Sequence, residues 1–154
     1  MNGTVLCGVQ DPTEERHAVE LALDICRRLD LRLVVANVVH VPGRGGLDLA
    51  DETYARDRQG ATVMLKRLAQ DLELDDSVTR RVAVGDAAGS LARIATEEAA
   101  DLIVLGSGRP SPLWRRRGIS FPDRLAFETM VPVVTALPTS RSGRRSREPV
   151  GNPV

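Results

Sequence analysis

The run Asp101-Leu102-Ile103-Val104-Leu105-Gly106-Ser107-Gly108 limits what this chain can fold into more than any other stretch. Its apolar part, Leu102 to Leu105, is short and unbroken, which is how a strand buried on both faces of a parallel sheet reads. It stops abruptly in glycine and serine. Open α/β sheets bind ligands where the strands reach their carboxyl ends. Successive backbone N–H groups in such a turn can form a concave anion site, and small residues let a phosphate approach closely. Arg115, Arg116 and Arg117 follow in a row, so the segment from Asp101 to Ser120 is the candidate site.

The rest of the chain alternates strands with amphipathic helices. Residues 4–9 form a β-prone run, non-polar on both faces, as in a central parallel strand. Asp11 suits an N-cap, Pro12 the first helical position and Glu14 the reciprocal capping position. The helix that follows is expected to bury Ala18, Leu21, Ala22, Ile25 and Leu29, which recur at intervals of three and four. Residues 31–39 read as a second strand, apolar except for Arg32 and Asn37. The stretch 40–51, with Pro42, Gly43, Gly45 and Gly46, reads as a loop. A helix is expected from residue 52 to about 72, with Val63, Leu65, Leu68 and Leu72 towards the core.

Residues 78–84 give a third strand, and adjacent Arg80 and Arg81 suit an exposed or edge position. Asp86 caps a third helix that buries Leu91, Ile94 and Ala95 and runs to about residue 100. After the candidate loop, residues 121–130 form a short helix with Pro122 in its first turn. Residues 131–137 are the last strand, and Pro132 at its start fits an edge position. This order of five strands and four helices, closed by right-handed crossovers, is an open, doubly wound parallel α/β sheet. A crevice is expected between the end of the first strand, Gly8 to Asp11, and the end of the fourth, Gly106 to Gly108, where these strands are neighbours. Residues 138–154 carry Arg141, Arg144, Arg145 and Arg147 against Glu148 with no periodicity. They read as a basic, disordered tail on a domain of residues 1–137.

Composition narrows the function. The 154 residues suffice for one core. A formal net charge of zero gives no global drive towards nucleic acid or acidic membranes. Aromatic content of 3% is too low for a base-stacking surface. Cys7 and Cys26 have no metal or redox spacing and read as buried thiols in a reducing cytosol. No apolar run approaches the roughly 18 residues of a membrane span, so a cytoplasmic location is expected. His17 and His40 lie on separate elements without a visible partner, and no nucleophile elbow, Walker loop or metal-ligand cluster is present.

Several stretches resemble the universal stress protein family. They are Val84-Gly85-Asp86, Leu91-Ala92-Arg93-Ile94-Ala95, the run from Ala99-Ala100-Asp101 to Gly106-Ser107, and Val131-Pro132-Val133-Val134. The resemblance covers about residues 3–137. It implies a sheet in the order 3-2-1-4-5 and homodimers paired through the last strand, residues 131–137. ATP-binding members carry Gly-x-x-Gly, nine residues, then Gly-Ser or Gly-Thr. Here Gly106 and Ser107 match the start, while an ungapped alignment puts Arg109 at the second glycine, Ile119 at the third and Ser120 at the hydroxyl position. Gly108 and Gly118 each lie one residue early, so the spacing is kept but displaced. The family's nucleoside-contacting aspartate falls on Gln10, with Asp11 beside it, and Val38 matches an apolar residue lining the adenine pocket.

The resemblance therefore implies a regulatory protein that binds ATP or AMP. Gly106, Ser107, Gly108 and Ser120 would hold phosphates, with Arg109 as an obstruction or a cation. Gly8, Gln10, Asp11, Val38 and Leu105 would surround the nucleoside, and Gly118 completes the displaced loop. Magnesium is expected only with ATP, and hydrolysis is at most slow, because no general base is placed for it. Trp114 could cover a base or anchor the loop, and Arg115 to Arg117 could clamp phosphates or face solvent. The alternative is a dimeric adaptor that binds no nucleotide and acts through protein partners. Nucleic-acid contact through the tail is a minor third reading.

Overall fold

Why β1 lies in the middle of the sheet follows from its burial. Every residue of β1 (Thr4–Gly8) is covered, so it needs a strand on each edge and helices on both faces. A computed structural model, which describes residues 3–40, 52–106 and 120–137, supplies these. After β1 come α1 (Pro12–Leu29), β2 (Arg32–His40), α2 (Glu52–Asp71) and β3 (Thr79–Gly85). They are followed by α3 (Ala87–Glu97), β4 (Leu102–Gly106), α4 (Phe121–Glu128) and β5 (Val133–Ala136). The five strands are all parallel in the order β3-β2-β1-β4-β5, which is the doubly wound α/β architecture expected from the alternation.

The alternating side chains of β1 divide the core. Val5 and Cys7 join Ala18, Ala22, Leu65 and Leu68 beneath α1 and α2. Leu6 points the other way and meets Leu91, Ile94 and Leu125 beneath α3 and α4. The helices change face where β1 adjoins β4, and this places the switch point between those two strands.

Both edge strands carry the residues that mark them. Arg80 is exposed on β3, and neighbouring Arg81 bonds Glu98 at 2.8 Å. Pro132, just before β5, has no N–H to offer, yet its carbonyl accepts from Ile103 at 2.9 Å.

Two expected core residues are outside it. Leu29 is 64% exposed. Asp30 turns the chain in the left-handed region (φ 54), and the Leu31 N–H returns to the Cys26 carbonyl at 2.9 Å. Leu31 therefore packs on the core where Leu29 was expected. Val63 is 47% exposed, because the buried stripe of α2 runs through Ala61, Leu65 and Leu68. A residue two positions from this stripe sits about 200° around the helix. The third and fourth helices and the last strand are also shorter than expected, ending at Glu97, Glu128 and Ala136.

Leu125 is fully buried and anchors α4. Leu125→Ala is expected to cost about 2–5 kcal/mol, read from the denaturant midpoint at unchanged slope.

Candidate functional site

The turn from β1 into α1 is fixed from below by two polar side chains. Gly8 pairs with Leu105 of β4 in register, and a Cβ there would lie 3.0 Å from the Leu105 Cδ2 and 3.1 Å from the Leu91 Cδ1. A side chain there would need the two leucines to give way by a few tenths of an ångström. Beyond Gly8, the Val9 N–H continues the ladder to the Ala36 carbonyl at 2.8 Å. Asn37, buried in β2, donates from Nδ2 to the Val9 carbonyl at 2.6 Å and to the Gln10 carbonyl at 3.4 Å. Asp11 caps α1 as expected, accepting from the Thr13 N–H at 2.8 Å, and Pro12 opens the helix.

The reciprocal capping residue is Glu15 and not Glu14. Glu14 faces water. Glu15 is only 6% exposed, and its Oε2 accepts from the Gln10 N–H at 3.0 Å. Its methylenes press on the end of β4: a Cβ on Gly106 would fall 2.7 Å from the Glu15 Cγ. Burial pushes the Glu15 carboxyl above the ordinary glutamate range. The Gln10 and Asp11 amides draw it back, the Asp11 carboxylate pushes it up, and His17 lowers it.

On the other face, Ser120 caps α4, and its Oγ accepts from the Asp123 N–H at 3.2 Å. The hydroxyl keeps its own proton to donate. Arg124 ties α4 to α3 by bonding Asp86 at 3.1 Å, while Asp86 caps α3 through the Gly89 N–H at 2.9 Å.

Of the expected site residues, the fold therefore brings together Gly8, Leu105, Gln10, Asp11 and Gly106 at the ends of β1 and β4. Val38 and Leu105 are buried in the cluster under α3 and α4, whereas Gln10, Asp11 and Ser120 are exposed. Ser107, Gly108, Arg109 and Gly118 lie outside the described residues, as do Trp114, Arg115, Arg116 and Arg117. Gln10 and Asp11 also border a cleft of about 840 Å³ between α1 and α2, floored by Met64 and Leu68 and flanked by Arg16 and Arg67.

Other candidates are occupied structurally. The His17 Nε2 lies 3.0 Å from the Ala136 carbonyl and joins α1 to β5, a partner invisible in the sequence. Cys7 and Cys26 are both buried free thiols, and burial raises Cys26 to about 11. Among the described residues no group of three His, Cys, Asp or Glu side chains could hold a metal, and no helix is long and apolar enough to cross a membrane.

Sequence reading missed Asn37 and Glu15 as parts of this site. Each left a trace. Asn37 interrupts an otherwise apolar strand, and Glu15 lies on the stripe that continues as Ala18, Val19 and Ala22.

A parallel sheet with a capped turn at its switch point defines an α/β domain of the kind that binds ligands at strand ends. The sequence model of the universal stress protein family matches residues 1–136, and the chain belongs to that family. Among solved structures, a universal stress protein in complex with cAMP is 24% identical, with a TM-score of 0.62 over 87% of this chain and 96% of its own. The universal stress protein UspA from Lactobacillus plantarum is 20% identical, with a TM-score of 0.66 over 86% and 96% of the two chains. A universal stress protein from Archaeoglobus fulgidus in complex with dAMP is 16% identical, with a TM-score of 0.56 over 86% and 95%. At these identities the likeness is one of fold. No curated protein matches the chain.

Asn37→Ala is expected to destabilise the domain by about 1–3 kcal/mol, because two carbonyls lose their buried donor. Amide hydrogen exchange should quicken first at Gln10 and Asp11. The raised Glu15 carboxyl gives a second expectation. Its protonated form is favoured on folding, so its contribution is fully present below the ordinary glutamate range and lost as pH rises through the raised value. Wild type should therefore lose stability relative to Glu15→Gln across that window, read as the difference in Tm between the two proteins.

Proposed function

We propose that this protein is a regulatory module that binds ATP or AMP at the carboxyl ends of β1 and β4. The observation that carries this reading is the braced turn at the switch point. Asn37 and Glu15 hold its backbone from within, so Gln10 and Asp11 face solvent beside the end of β4. The relatives bound to cAMP and dAMP support an adenine nucleotide as the ligand class. In this reading Gly106, Ser107, Gly108 and Ser120 hold phosphate, with Arg109 as a cation and Gly118 as the third glycine of the displaced loop. Gly8, Gln10, Asp11, Val38 and Leu105 shape the nucleoside side, and magnesium accompanies ATP alone. A Ser120 hydroxyl that already accepts from Asp123 can still donate to a phosphate oxygen.

Millimolar AMP or ATP is expected to raise Tm. A ligand at 100 times its Kd adds about 2.7 kcal/mol, which for a domain of this size is roughly 5–10 °C. No shift with ATP, ADP or AMP removes the reading.

A second feature supports the pairing of two copies through β5. This edge strand is flanked by Met130, 99% exposed, and Phe127, 86% exposed, with Val134 and Leu137 also exposed. Such an apolar edge is a template for another strand and a surface for association. Sedimentation is expected to give a dimer, and the double variant Phe127→Glu/Met130→Glu a folded monomer. A monomeric wild type sinks the dimer.

A further inference from the structure

Glu15 braces the turn from within, but none of the ligand contacts proposed above uses its charge. It is a carboxylate in a place built for an anion. The turn between β1 and α1 presents the Gln10 and Asp11 amides at the start of a helix, where a ligand phosphate would be welcome. The chain's own carboxylate already occupies them. Its stem lies against Gly106, the last residue of β4, where a Cβ would fall 3.2 Å from the carboxyl carbon, so the charge stands beside the strand end that the proposed reading gives to phosphate. Among the described residues, the ionisable groups around it are Asp11 at the cap of α1, His17 on α1 and Cys7 on β1. Asp11 adds to the negative charge and the Cys7 thiol is neutral. His17 gives partial compensation, its Nε2 held at the Ala136 carbonyl of β5. β4 contributes only Gly106 at this point.

We propose that Glu15 is the charge-selecting residue of the crevice: its buried carboxylate opposes each phosphate charge brought to the end of β4, so the site ranks adenosine and AMP above ATP. This rests on the proposed nucleotide-binding reading. The carboxyl is also the group through which binding takes up a proton. A phosphate arriving beside a buried acid favours its neutral form, and by linkage a falling pH tightens the binding of the charged ligand. With magnesium, part of the phosphate charge is neutralised in advance and the ranking narrows.

The test is calorimetric titration of adenosine, AMP and magnesium-free ATP into wild type, Glu15→Gln and Glu14→Gln. Gln at position 15 keeps the shape and can still accept from the Gln10 amide. Glu14→Gln removes the same formal charge from a side chain in water. At pH 7.5 the Glu15→Gln variant should bind ATP at least tenfold more tightly than wild type, with adenosine changed less than twofold. Glu14→Gln should alter ATP binding less than threefold. As pH falls through the raised Glu15 range, wild type should take up more protons on binding ATP than Glu15→Gln, measured in buffers of different ionisation enthalpy. ATP binding by Glu15→Gln where wild type binds only adenosine or AMP supports the proposal. An unchanged ratio of ATP to adenosine affinity overturns it alone, as does weaker ATP binding by a folded Glu15→Gln. Failure of both proteins to bind any of the three overturns it together with the nucleotide reading.

Discussion

Complete burial of β1 is the constraint on which the other elements depend. A strand with no exposed residue must be paired on both edges and covered on both faces. With β2 on one side and β4 on the other, the chain must cross from one half of the sheet to the other, and the helices must change sides there. The crevice is a geometric result of that crossing. In this architecture such a crevice needs no side chain specialised for a ligand, which is why its strand ends serve so many chemistries.

What this chain adds is a polar underside to the crevice. Asn37 and Glu15 are buried, and each satisfies the backbone of the same short turn from a different element. Buried polar groups with their partners made are specific in a way an apolar contact is not, because a misaligned turn would leave them unpaired. The turn is therefore pinned by side-chain bonds where it leaves β1 beside β2. Near β4 it is shaped by contact, since Gly106 leaves space that the Glu15 methylenes take up.

The fold was legible because its signals are local and periodic. β4 is apolar on both faces, Asp11-Pro12 opens α1, Asp86 caps α3, and paired arginines and a proline mark the two edge strands. Strand order is a matter of crossovers rather than periodicity, and it was available only through the resemblance. The two misplaced core residues show that periodicity gives a face but neither its phase nor where the helix turns back. Val63 sits opposite the buried stripe of α2, and Leu29 falls in a last turn that reverses before it can pack. Around the turn, sequence placed Gln10, Asp11 and Gly106 at the ends of β1 and β4, where the structure has them. It could not see that Asn37 reaches Val9, 28 positions away, or that His17 meets Ala136, 119 positions away. Glu15 was hidden differently, since two successive acids in a first helical turn look alike until the sheet chooses between them.

The opposite end of the sheet is held by charge. Asp101 accepts from the Thr4 N–H at 2.9 Å as β1 and β4 begin, and Glu98 at the foot of α3 bonds Arg32 at 2.9 Å and Arg81 at 2.8 Å. These clamps stitch β1 to β4, and β2 and β3 to α3, at the foot of the domain, far from the crevice. The domain thus has a foundation and a working rim. The exposed Gln10 side chain at the rim touches none of these clamps, so the upper surface can be rewritten there while the base keeps its bonds.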